Sequence, residues 1–156
     1  MANNKVLDTR QLMTGKDGRM YINIDGVNTF MCAVDTFQVQ INFSNSDYQP
    51  VGSIVSFAVP INVTFTLTFS EAVISDEYVA APILEAVKAG KVPTFDFSGA
   101  CERPDGQEQR MVFNNCTPDG AIDLMNLTPG DILKRAFSFR INSVPEYLKK
   151  LAETAA

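Results

Sequence analysis

TFQVQINFSNSDYQPVGSIVSFAVPINVTFTLTFS, Thr36 to Ser70, is the stretch from which the fold can be read. In its first part Phe37, Val39, Ile41 and Phe43 alternate with Gln38, Gln40, Asn42 and Ser44. In its second part Val55, Phe57, Val59, Ile61, Val63, Phe65, Leu67 and Phe69 alternate with Ser56, Ala58, Pro60, Asn62, Thr64, Thr66, Thr68 and Ser70. Successive side chains of a strand point to opposite faces, so a period of two predicts two strands, each with one apolar and one polar face. Between them Asn45, Ser46, Asp47, Tyr48, Gln49, Pro50, Val51 and Gly52 are dense in turn formers and are expected to form the connecting loop. Run without interruption, the second strand would span about 50 Å at ~3.3 Å per residue, whereas strands of five or six residues are the common case.

The polar face carries the functional signal. A solvated strand face usually holds Lys, Glu or Arg, which keep the chain soluble and block edge-to-edge pairing. Here Asp47 is the only charged residue from Thr36 to Ser70, and the polar positions are Thr, Ser, Asn and Gln. Thr is a strand former in its own right, which accounts for part of this composition. The stronger reading is that the face is covered by another copy or lines an enclosed space. An uncharged, Pro-free segment such as Val63–Phe69 would otherwise be an aggregation hazard.

The 156 residues fit one domain with a core large enough to need no staples. With 46% hydrophobic and 20% charged residues the composition is that of a folded domain. A net charge of −5 argues against a phosphate-gripping surface, which needs clustered Lys and Arg. No apolar run is long enough for a helix across a bilayer, and Met1–Arg10 shows no secretory signal. Cys32, Cys101 and Cys116 form no CxxC and are read as reduced thiols of a cytosolic protein. Asn-x-Ser/Thr triplets at Asn42, Asn62, Asn115 and Asn126 are read as chance.

Residues 1–14 are polar and aperiodic and are expected to be a flexible or docking arm, with a single domain over 15–156. Arg19–Asp25 alternates as a first strand, and Asp25-Gly26 is a hairpin signal. The apolar phase then moves by one residue after Asp35, as a bulge would produce. Pro60 cannot donate to a ladder, so its strand must be an edge or bend there. A helix is expected from Ser75 as N-cap to a stop at Gly90, with Val79, Ile83, Leu84 and Val87 as one packed stripe and Pro82 either kinking it or opening its regular part. Strands follow at Phe95–Ser98, Gln109–Asn114, Ala121–Leu127 and Arg135–Asn142, with a turn at Arg103–Gly106. Ser143-Val144-Pro145-Glu146 reads as a capping box opening a short terminal helix through Leu151. The fold class is mostly β with some α: a sandwich or partial barrel with one flanking helix.

Chemistry is sparse. The chain has no histidine, which removes the commonest general base, Ser-His triads and most zinc sites. No nucleophile-elbow, phosphate-loop or dinucleotide motif occurs. Gly15-Lys16-Asp17-Gly18 has Asp17 where a phosphate loop needs a hydroxyl and is read as a turn. Asp76 and Glu77 suit a helix start, while Asp25, Asp105, Asp119 and Asp131 suit turns. Asn23-Ile24-Asp25-Gly26 is too short for a calcium loop. The expectation is no enzyme and no cofactor.

Several motifs together resemble one family. Gly15-Lys16-Asp17-Gly18-Arg19 before a strand, Asp25-Gly26, the helix end Ala86-Val87-Lys88-Ala89-Gly90-Lys91 with Phe95-Asp96-Phe97, and the charged turn from Arg103 to Glu108 resemble the phage tail tube family of the PBSX-like prophage type. Phe137-Ser138-Phe139 followed by Val144-Pro145-Glu146-Tyr147-Leu148 is the most specific match. The resemblance covers Gly15 to Leu151, with a departure at the short, neutral Asn45–Gly52 segment. It implies hexameric rings stacked into a hollow tail tube, in which a long hairpin from each subunit joins a barrel around the lumen and loops reach the next ring. It also implies a contractile particle with sheath, tape measure and baseplate partners, DNA or ions passing through the tube, and assembly in the bacterial cytoplasm into a virion tail or bacteriocin. On that footing Gln38, Gln40, Asn42, Asn62, Thr64, Thr66 and Thr68 are expected to face the lumen, and Asn45–Gly52 to make the ring-to-ring contact. The alternatives are a secreted ring subunit of a type VI apparatus and a carbohydrate-type ligand-binding β-sandwich. The latter would need an exposed aromatic platform, and the chain has no Trp.

Overall fold

The computed structural model describes residues 9–24, 26–31 and 33–152, so Asp25 of the expected hairpin turn, Cys32 and most of the N-terminal arm lie outside the described residues. Eight strands and one α-helix follow in order: β1 (Gly18–Ile24), β2 (Val27–Phe30), β3 (Val34–Tyr48), β4 (Phe57–Ala72), α1 (Ala80–Lys88), β5 (Phe95–Glu102), β6 (Glu108–Pro118), β7 (Lys134–Ile141) and β8 (Glu146–Lys149). All pairings are antiparallel. The sheet order is β2-β1-β5-β6-β7-β4-β3, with β8 beside β6.

The two ends of that order, β2 and β3, are consecutive in the chain and separated only by residues 31–33. Three residues reach about 10 Å, so the sheet has to curl until its ends meet at this corner. There the Met31 amide donates to the Met20 carbonyl of β1 at 2.9 Å, and the Ala72 amide of β4 donates to the Ala33 carbonyl at 3.0 Å. The result is a partial barrel, closed at one corner and open along the seam. A cavity of about 680 Å³ lies in the seam, lined in part by Met20, Met31, Phe37, Met111 and Phe113. The expected phase change is present: β3 is bulged between Val34 and Thr36, at Asp35.

The core is aromatic. Phe69 of β4 stacks on Phe137 and Phe139 of β7 at centroid distances of 5.0 and 5.9 Å and meets Phe97 of β5 edge-on at 5.7 Å. These four rings, with Leu67, Phe113, Cys116 and Ile22, are buried because alternation on each strand sends them inward. At one end of the interior Arg135, 3% exposed, sits cross-strand from Glu71. Its guanidinium donates to Glu71 Oε1 at 3.1 Å, to the Ser75 carbonyl at 3.1 Å and to the Asp76 carboxylate, and it lies over the Phe137 ring. Burial raises the Glu71 pKa, against the opposing pull of Arg135. This clamp fastens the segment leading to α1 onto the sheet.

Several sequence expectations are corrected. The helix is shorter than expected, because the Ser75 hydroxyl accepts from the Glu77 amide in a local turn instead of capping α1. Pro82 then falls in the first turn, where its missing N–H costs nothing. Gly90, at φ +73, closes α1: its amide donates to Val87 and that of Lys91 to Ala86, a Schellman arrangement. Of the expected stripe, Val79 and Ile83 are buried, while Leu84 and Val87 are exposed. Ala121–Leu127 is not a strand. After Asp119 and Gly120 break the alternation, Asp123 meets Ala136 of β7 by a single main-chain bond, its amide donating to the Ala136 carbonyl at 3.1 Å, while its carboxylate, in place of a backbone carbonyl, accepts from the Ala136 amide at 3.2 Å. The terminal helix is replaced by β8, because β7 pairs β6 only at Cys116–Pro118 and leaves the β6 edge at Arg110–Val112 open. Filling that edge satisfies backbone groups that an isolated four-residue helix cannot. Asn115, the one non-glycine at positive φ among the described residues (φ 56), marks the bulge at which β6 changes partner.

The core and the free part of the hairpin should respond differently to truncation. Phe69→Ala is expected to cost about 3–5 kcal/mol in urea unfolding of the dilute protein, whereas Phe43→Ala, 66% exposed at the start, should stay within about 0.5 kcal/mol. Comparable losses would mean that the apolar face of the hairpin is one continuous core.

Candidate functional site

The hairpin of β3 and β4 is the dominant feature. Its strands are 15 and 16 residues long, yet β4 pairs β7 only over Phe65–Ala72. Residues 57–64, with the facing part of β3, extend past the sheet by about 25 Å at ~3.3 Å per residue. The outer edge of β3 has no strand partner among the described residues.

Cross-strand partners share a face, so the register assigns faces directly. Gln38 pairs Thr68, Gln40 pairs Thr66, Asn42 pairs Thr64 and Ser44 pairs Asn62. All seven expected polar positions therefore lie together on one face, and Asn42 Nδ2 donates to Thr66 Oγ1 at 3.2 Å. That face continues beyond the hairpin: Thr68 pairs Ser138, Thr66 pairs Arg140, and Arg140 pairs Thr117. Ser138, Arg140 and Thr117 were not among the expected site residues, although the alternation of Ala136, Ser138 and Arg140 with Phe137, Phe139 and Ile141 carried the signal. Arg140 brings a positive charge to the face, 3.8 Å from Asp119.

At the base of the face Asp35 gathers three groups. Ser70 Oγ donates to Asp35 Oδ1 at 2.5 Å, Thr36 Oγ1 lies 2.6 Å from Ser70 Oγ, and Lys134 Nζ is 2.7 Å from Asp35 Oδ2. The hydrogen bonds from Lys134 and Ser70 hold the Asp35 carboxyl below its ordinary value, and Asp35 in turn raises Lys134. The cluster ties β3 to β4 and β7 where the free ribbon begins.

The loop expectation is corrected. Asn45, Ser46, Asp47 and Tyr48 belong to β3, paired with Pro60, Val59, Ala58 and Phe57. The loop itself starts at Gln49, whose Nε2 donates to the Ser53 carbonyl at 2.9 Å, and Gly52 turns it at φ +85. The register shifts between Ser44–Asn62 and Asn45–Pro60, so Ile61 is the extra residue of a bulge. Pro60, which lacks an N–H, sits beside it, as the edge-or-bend expectation required. A one-residue slip exchanges faces. Beyond the bulge Val59 and Phe57 join Ser46 and Tyr48 on the side that carries Gln38 and Thr66 nearer the base. The apolar run Val55–Phe69 is thus not one face, as its alternation suggested. Asp47 and Asn45 fall on the other side, with Ala58 and Pro60.

Reactive groups are few. Burial pushes the Cys116 thiol up to about 12 and raises Cys101 as well, so both are held as thiols. Among the described residues no group of three or more metal-ligating side chains is found, and no helix is long and apolar enough to cross a membrane.

The fold is a curled antiparallel sheet from which a two-stranded ribbon projects, with seven uncharged polar side chains on one face of the ribbon. Solved structures that share the fold include chains of injection and tail particles. A chain in the cryo-EM structure of an extracellular contractile injection system, PVC sheath/tube terminator in its extended state, matches with TM-score 0.63 and 11% identity over 86% of this chain and 96% of that one. A chain of the anti-feeding prophage baseplate, 6-fold symmetrised, matches with TM-score 0.60 and 6% identity over 96% and 98%. A chain in the tail of an empty gene transfer agent particle of C6 symmetry matches with TM-score 0.55 and 12% identity over 87% and 98%. No protein-family model and no curated protein matches the sequence. The family resemblance read from the sequence is borne out at the level of the fold.

The Asp35 cluster generates a pH dependence. A lowered carboxyl stabilises above its ordinary value of 3.8 and loses that contribution as pH falls through the lower folded value; raised Lys134 stabilises below 10.5 and loses it as pH rises above. Amide protection factors at β3 residues 36–40, each referred to the intrinsic exchange rate at that pH, should fall below about pH 4 and above about pH 10.5. Asp35→Asn should flatten both limbs, and retention of both would remove Asp35 from the anchor.

Proposed function

We propose that the chain is a structural, non-catalytic subunit of a tail tube in a phage or phage-tail-like contractile particle, assembled as stacked rings around a lumen. The observation that carries this reading is the free ribbon. An edge of fifteen residues without a strand partner among the described residues, uncharged from Thr36 to Ser46, stands beside a hairpin face whose polar side chains are uncharged. Strand edges of this kind are stable when another strand covers them, and a closed ring covers every one. Six copies per ring is the number suggested by the 6-fold assemblies that hold the similar chains.

In this reading Gln38, Gln40, Asn42, Asn62, Thr64, Thr66 and Thr68 face the lumen, joined by Ser138 and Arg140. Apart from Arg140, which lies 3.8 Å from Asp119, these side chains are hydroxyls and amides that give a passing polyanion little to bind, and the net charge of −5 adds to that. Sheath, tape measure and baseplate proteins are the partners, and the particle tail is the location.

Negative-stain microscopy of the purified protein at rising concentration tests the reading: rings or hollow rods support it, while a persistent monomer that melts higher with added glycans supports a binding module instead. Thr66→Arg, cross-strand from Arg140, should cost the monomer no more than about 1 kcal/mol, the scale of like charges directly opposite on a sheet. Tubes of the variant should form and show altered passage of ions or DNA. Unchanged passage through normal tubes would remove the polar face from the lumen.

A further inference from the structure

Arg140 stands within a row that crosses four strands. Gln40 of β3 pairs Thr66 of β4, Thr66 pairs Arg140 of β7, and Arg140 pairs Thr117 of β6. Cross-strand neighbours on one face have Cβ atoms about 5 Å apart, so a threonine flanks the arginine on either side. Each threonine hydroxyl has an asparagine behind it. Asn42 Nδ2 donates to Thr66 Oγ1 at 3.2 Å, and Asn142 Nδ2 donates to Thr117 Oγ1 at 3.3 Å. A hydroxyl whose oxygen already accepts from an amide has its proton left to give, and accepting polarises it toward giving. Neither hydroxyl donates to another group among the described residues.

The guanidinium is equally available. Its charged contact, Nε to Asp119 Oδ2, is 3.8 Å long, past hydrogen-bond range, with both side chains about half exposed. Such a pair contributes little, and Nη1 and Nη2 have no hydrogen-bond partner among the described residues. Lys134, the other cation that β7 puts on this face, is held by Asp35 at 2.7 Å. We propose that Arg140, Thr66 and Thr117 form an oxyanion site for a phosphate group, either of a phosphodiester chain or of free phosphate. The planar fork of a guanidinium matches two phosphate oxygens. An oxyanion seated on it can take a further hydrogen bond from the hydroxyl on either side, while Asp119 competes and keeps the hold weak. The proposal rests on the lumen reading above for the source of the phosphodiester, and adds the point on each copy at which a passing chain is gripped. One cation per copy makes no nucleic-acid-binding surface, but repetition around a ring multiplies a weak contact. The site itself is complete in a single chain.

Two probes test it at low salt on protein kept below the concentration of polymerisation: inorganic phosphate, followed by the backbone amides of residues 66, 117 and 140, and a fluorescein-labelled thymidylate dodecamer, followed by anisotropy. Parent protein should saturate with either. Arg140→Gln should raise Kd at least tenfold and reduce the dodecamer's log–log salt slope by about 0.7. Arg140→Lys, which keeps the charge and loses the fork, should fall between the two. T66V/T117V should weaken binding about threefold at an unchanged salt slope. Asp119→Asn should tighten it about two- to fivefold by removing the competitor, whereas an ion pair that merely holds the fold would give weaker binding in the same variant. Should T66V/T117V fail to fold by circular dichroism, the Arg140 and Asp119 variants decide. Saturation by phosphate alone keeps the site and makes free phosphate its ligand. No saturation by either probe, equal binding by parent and Arg140→Gln, or unchanged or weaker binding by Asp119→Asn overturns it. Tube formation is read separately by microscopy: tubes from a chain without the site sink this inference alone, and a working site on a chain that never forms tubes sinks the tube reading alone.

Discussion

The stack of Phe69 on Phe137 and Phe139 is the contact on which the rest depends. It fixes the base of the long hairpin inside the curled sheet, so that the outer half can stand clear of any other strand. Burying aromatic rings is worth several kcal/mol, and that anchor offsets the cost of holding apolar side chains such as Phe43 and Ile61 in water. The Asp35–Lys134–Ser70 cluster and the Arg135–Glu71–Asp76 clamp flank the same base. The first directs the ribbon and the second holds the chain leaving β4.

From that anchor outward, the hairpin changes its environment twice. Leu67 and Phe69 are core, Phe65 and Val39 are half-buried, and Ile41 and Phe43 are exposed. Past Ile61 the polarity of the two faces is exchanged. A ribbon built this way presents backbone edge, polar face and apolar patches at separate heights. At the corner the chain passes from β2 to β3, from one end of the sheet to the other, and the β3 edge has no strand partner among the described residues.

Much of this was legible in the residues. Period-two alternation located β1, β3, β4, β5, β6 and β7, and the phase change after Asp35 announced the bulge. That the polar hairpin residues share one face was legible too, because Gln38 to Asn42 and Asn62 to Thr68 lie on the near side of the second bulge, where alternation and register agree. Two of the readings that failed share a cause. Ser143–Leu151 looked helical and Ala121–Leu127 looked extended on local grounds, but an open edge on β6 and a side-chain bond from Asp123 decided them. In both cases partners distant in sequence outweighed local preference.

The amino-acid sequence by itself determined that the chain forms long antiparallel strands with one uncharged polar face, because alternation and charge are properties of neighbouring residues. The tertiary structure alone decided where the hairpin leaves the sheet, that Asn45–Tyr48 are strand, and which side Tyr48, Phe57 and Val59 take. Each of these depends on register, and register is set by pairing between residues far apart in the chain.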